Sequence, residues 1–124
     1  MSIISLDEAT EVLRSLLRGE RTWAHVGPSY LDVSYGDVAL RTRDAWVIGL
    51  HTSYDELKNT AYMISPDGRR GGESTWRPEA LAAGKSWGDP IDALSDAEFD
   101  YLERLAVEAP PEITPSEPGR TRPE

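Results

Sequence analysis

The sequence predicts an α+β fold, an antiparallel sheet of about four strands packed against an N-terminal and a C-terminal helix. Two observations carry this expectation. Serine-led capping boxes at Ser5–Glu8 and Ser95–Glu98 each open a stretch with apolar residues at helical spacing. Between them, short runs alternate apolar and polar residues with the two-residue period of a half-buried strand.

The first helix is expected over 6–18. Ile4 and Ala9 are spaced as a hydrophobic staple around the Ser5 cap, and Asp7 lies near the positive end of the helix dipole. Leu6, Ala9, Val12, Leu13, Leu16 and Leu17 line one face, and Gly19 supplies the stop. A strand follows over Tyr30–Tyr35, with Leu31, Val33 and Tyr35 on one side. Gly36-Asp37 reads as a two-residue hairpin turn, glycine first, leading into a strand at Val38–Thr42. Arg43-Asp44 turns the chain into Ala45–His51, where Trp46, Ile48 and Leu50 share a face. After a polar connection, Ala61–Ser65 makes the fourth strand of a meander whose one face the helix covers.

Ser65-Pro66-Asp67-Gly68 is a strong turn signal. Five of the ten glycines fall between Ser65 and Gly88, so this stretch reads as a long irregular connection. It holds one short helix, with Pro78 at the first position. The last helix is expected over 96–108, with Phe99, Leu102, Leu105 and Ala106 inward and Pro110-Pro111 ending it. Residues 1–109 therefore read as a single globular domain. Five of the nine prolines lie beyond Ala109 among polar residues, so 110–124 reads as a disordered tail.

A chain of 124 residues with 39% hydrophobic content has room for one domain with a modest core. Four tryptophans and five tyrosines must supply much of that core. The absence of cysteine excludes disulfides, thiolate catalysis and cysteine-ligated metal. No basic leader and no apolar run of membrane-spanning length occur, so a cytoplasmic protein is expected.

The net charge is −9, and most of it lies in one place. Asp89 to Glu112 carries eight carboxylates and one base, Arg104, a local balance of −7. Such a surface repels nucleic acid and membrane and favours a basic protein partner. At 100° per residue, Asp96, Asp100 and Glu103 share a stripe of the last helix, which makes them the first partner-binding candidates. The connection from Ser65 to Gly88 adds Arg69, Arg70 and Trp76, since tryptophan and arginine dominate interface hot spots. Its local charge of only +1 argues against direct nucleic-acid binding.

No catalytic, cofactor-binding or metal-binding residues are expected. His51 precedes Ser53 and Asp55, but adjacency along a chain does not make a triad, and no G-x-S-x-G elbow is present. His25 lies in an apolar-to-glycine connection. Asp32, Asp37 and Asp44 lack a calcium-loop pattern, and the glycines match no phosphate-loop spacing. The function expected is therefore a non-catalytic acidic binding protein that inhibits or neutralises another macromolecule. Its setting would be a phage or mobile-element anti-defence inhibitor, or immunity to a toxin. Two alternatives remain open: a small hydrolase or ligand-binding domain on the sheet face near His51 and Tyr62, and a structural homo-oligomer.

The order of motifs adds one resemblance. Leu17-Arg18-Gly19-Glu20-Arg21 ends the first helix, and Gly36-Asp37-Val38 opens a strand. Asp44-Ala45-Trp46, Tyr54-Asp55-Glu56-Leu57 and Ser65-Pro66-Asp67-Gly68-Arg69-Arg70 follow. Asp89-Pro90-Ile91-Asp92-Ala93-Leu94-Ser95 then enters an acidic helix. From Ser5 to Leu105 this resembles a family of small bacterial proteins of unknown function. The resemblance implies a shared fold, and it brings no catalytic residues.

Overall fold

A computed structural model describes residues 3–27, 30, 33, 35–54, 56–85 and 88–111. In chain order the elements are α1 (Leu6–Leu17), β1 (Trp23–His25), β2 (Tyr35–Thr42), β3 (Val47–Ser53), β4 (Glu56–Ile64), β5 (Arg70–Gly72), α2 (Glu73–Ala82) and α3 (Asp96–Glu108). A single 3-10 turn at Pro90–Ala93 leads into α3. The five strands pair in sequence order, each antiparallel to the next, so the sheet is a meander. The α+β class is as the sequence predicts, with five strands in place of about four.

The differences have local causes. Gly36-Asp37 is not a turn: β2 runs straight through it, with Gly36 opposite Thr52 and Asp37 opposite His51. Gly36 still needs to be glycine, because its φ is +141°. The turn that joins β2 to β3 is the one at Arg43-Asp44, closed by the Thr42 amide donating to the Trp46 carbonyl at 2.8 Å. Of the strand expected over 30–35, residues 31, 32 and 34 lie outside the described residues. Tyr30 is wholly buried in a 3-10 conformation, and Tyr35 opens β2. The proline-rich segment from 112 onward also lies outside the described residues.

The polar connection expected before Ala61 is the first half of β4. Its ladder with β3 slips at Gly49/Leu50 and again at His51/Thr52. These irregularities leave Leu57, Thr60 and Met63 as the buried residues of the strand, three apart instead of two. The helix expected to begin at Pro78 begins at Glu73 and carries Pro78 in its interior. There Pro78 offers no N–H to the preceding turn. In compensation Trp76 and Ala80, both 0% exposed, seat the helix in the core.

The helices share the core with one face of the sheet. Leu13, Val38, Leu40, Ile48, Leu50, Met63, Trp76 and Leu102 are all buried in one cluster. Burying such a side chain contributes roughly 1.5–3 kcal/mol, so this layer dominates the favourable terms. The open face carries Asp37, Arg41 and His51, alternating with those inward residues. Both sheet edges are covered by the ends of the described chain. The Ile4 amide donates to the Arg70 carbonyl on β5, and the His25 amide on β1 donates to the Pro110 carbonyl. Covered edges leave few unpaired amides to template aggregation.

Candidate functional site

The acidic segment is built around α3. Ser95 Oγ accepts from the Glu98 amide at 3.1 Å, and the Glu98 carboxylate accepts from the Ser95 amide at 2.8 Å. The expected capping box is therefore complete. That bond from the Ser95 amide, helped by the Arg14 charge 3.7 Å away, holds the Glu98 carboxyl below its ordinary value.

Two further acids face inward for a reason that lies in β4. On its outer side β5 reaches only Tyr62–Ile64, so the first half of β4 has amides without a strand partner there. Carboxylates from the acidic segment fill the gap. Asp89 accepts from the Thr60 amide with one oxygen and from the Ile91 amide with the other, both at 2.9 Å. Burial pushes the Asp89 carboxyl up in spite of these bonds. Glu103 accepts from the Leu57 amide at 2.9 Å and from the Tyr30 hydroxyl at 3.1 Å with the same oxygen.

Four acids remain on the outside. Asp92, Asp96, Asp100 and Glu108 are exposed, and none forms an ion pair among the described residues. Asp96 also lies in the first turn of α3, where the helix dipole favours it. Tyr101, 44% exposed, flanks this face. It joins two open clefts between α1 and α3, of about 260 and 410 Å³.

The structure thus splits the six residues singled out in the sequence. Asp96 and Asp100 are outward and accessible, one turn apart. Glu103 is partly buried, with its carboxylate engaged inside. Trp76 is 0% exposed: it packs over Gly71 and its Nε1 donates to the Ile4 carbonyl at 3.0 Å, so it offers no contact surface. Arg69 closes a fork on Glu8 at 2.7 and 2.8 Å and also meets Asp67 at 3.2 Å, which ties β5 to α1. Glu8 therefore serves Arg69, and the first amides of α1 go to Ser5 Oγ, from Glu8 at 3.1 Å, and to the Glu79 carboxylate, from Leu6 at 2.9 Å. Arg70 is exposed at the start of β5, far along the sheet from β1.

The two histidines have different surroundings. His51 Nδ1 lies 2.9 Å from Asp37 Oδ1 on the open face, with the Tyr35 ring edge-on at 5.5 Å. Next to it Tyr62 lies across Gly49, where a side chain would collide with the ring. His25 is buried and bonded at both ring nitrogens. No group of three metal-ligating side chains occurs among the described residues. No helix among them is long and apolar enough to cross a membrane.

The family comparison agrees with the resemblance to a family of unknown function. A family description, a domain of unknown function (DUF7693), matches residues 3–108. The chain belongs to this family. No curated protein and no solved structure matches it. The DUF7693 match takes in α1 through α3, and so includes both the inward and the outward acids.

The inward roles of Asp89 and Glu103 were missed by sequence reasoning. For Asp89 a signal existed: Asp-Pro is a turn-initiating pair, and the aspartate caps its own turn. For Glu103 there was none, because its partner Leu57 is 46 residues away.

Proposed function

We propose that this DUF7693 domain is a non-catalytic binding protein that meets a basic surface of another protein through the outer face of α3. The observation that supports this is the set of exposed acids, Asp92, Asp96, Asp100 and Glu108, lacking ion-pair partners among the described residues. The arginines of α1 and the turn after it are engaged elsewhere, Arg14 with Glu98, Arg18 with Glu11 and Glu20, and Arg21 with Asp44. Arg104, exposed on α3 itself, forms no ion pair with these acids among the described residues. Exposed charge of one sign steers association and rejects like-charged partners more than it adds affinity. Covering a basic active surface in this way would inhibit its owner. Immunity to a toxin and blockade of a host defence complex are the two settings in which that outcome is useful.

The test compares wild type with Asp96→Lys/Asp100→Lys as baits in lysate of the source cells at physiological salt. A protein retained by wild type and lost by the charge-reversed bait supports the proposal. No retained protein, or one retained equally by both baits, contradicts it. A second reading, ligand binding on the open sheet face, is favoured by the His51–Asp37 pair beside the Tyr62 ring. Saturable chemical-shift changes at His51 on adding a small-molecule library would favour that reading.

A further inference from the structure

His25 joins three separate segments: β1, the connection that holds Tyr30, and the strap Ala109–Pro111. It is 2% exposed. Its backbone amide donates to the Pro110 carbonyl at 2.8 Å, and a parallel bridge pairs it with Pro111. The Tyr30 amide donates to Nε2 at 2.8 Å, so Nε2 is an acceptor and carries no proton. The proton must then sit on Nδ1, which donates to the Ala109 carbonyl at 3.0 Å. Geometry alone fixes both the neutral state and the tautomer.

A second proton has no place in this arrangement. On Nε2 it would point at the Tyr30 N–H, setting two donors face to face in a buried site. We propose that His25 is a proton-operated latch, which holds the strap on the β1 edge when neutral and lets it go when protonated. Release frees the outward amide of β1 for another strand and loosens the point from which the C-terminal segment departs. It also loosens Tyr30, whose hydroxyl is bonded to Glu103 of α3.

Few groups compete with this reading. The Tyr30 amide faces the ring, and the Tyr30 hydroxyl donates to Glu103. Glu108, one residue before the strap, is exposed. On β2 the residue opposite His25 is Leu40, while Arg41 pairs with Ala24. The strap is held while the ring is neutral and is let go as the ring gains its second proton, so acid opens it. The latch works whatever partner α3 meets.

The test is nitrogen-15 NMR of the imidazole with amide exchange of the intact chain. At about pH 8 the ring should show the neutral tautomer protonated on Nδ1. As the ring protonates, exchange protection of the His25 amide should fall about tenfold or more after correction for intrinsic rate. In His25→Gln that pH dependence should vanish. A ring protonated on Nε2 at pH 8 overturns the proposal. So does a charged ring whose own amide stays protected.

Discussion

The carboxylate of Glu103 accepts a hydrogen bond from the amide of Leu57, 46 residues earlier in the chain and 2.9 Å away. A helix residue that looks like part of a solvated acidic face is thus the partner of a strand amide that β5 is too short to reach. The same oxygen takes the Tyr30 hydroxyl, so Glu103 ties α3 to β4 and to the segment before β2.

Removing Glu103 therefore costs stability. Glu103→Ala leaves the Leu57 amide and the Tyr30 hydroxyl without their acceptor, a loss of about 1–3 kcal/mol in urea unfolding. Tyr30→Phe removes only the second bond and should cost less. A Glu103→Ala protein as stable as wild type would show that water replaces the carboxylate without penalty.

The Glu8–Arg69 fork makes stability depend on acid pH. The hydrogen bond from Arg69 holds the Glu8 carboxyl below its ordinary value. A depressed folded value means a contribution present above the unfolded value and lost as pH falls through the folded one. Wild type should thus exceed Glu8→Gln in stability near neutrality, and the difference should close in the acid range. Asp89 acts in the opposite sense. Burial raises its carboxyl, so its ionisation weakens the fold as pH rises through the folded value. Unfolding curves of both proteins over pH, at low and high salt, check the Glu8 effect, which salt should shrink in part because the pair is still partly exposed.

Much of the architecture was legible from local patterns. The serine caps, the stop at Gly19, the turn at Arg43-Asp44 and the apolar stripe ending before Pro110 each depend on residues within a few positions. What was hidden depends on contacts between distant segments. β1 and β5 have three residues each, too few to show an alternation. In β4 the register shifts replace the two-residue period by a spacing of three, which masks the strand. Trp76 looked like a surface anchor because its burial is decided elsewhere. Gly71 admits its ring, and a Cβ there would approach ring atom Cζ2 to 2.7 Å. The site divides in the same way. Asp96 and Asp100 lie outward as helical spacing requires, whereas Glu103, on the same stripe, is drawn in by a β4 amide that no local pattern reveals.

The account rests on a division of the acidic segment into carboxylates that bond inward and carboxylates that face out unpaired. Urea unfolding of two double variants tests it most directly. Asp89→Ala/Glu103→Ala should lose about 2 kcal/mol or more, since each change leaves buried amides without their acceptor. Asp96→Asn/Asp100→Asn should stay within about 1 kcal/mol of wild type. Equal losses in the two proteins, or a larger loss in the outward pair, would contradict the division and the recognition face built on it.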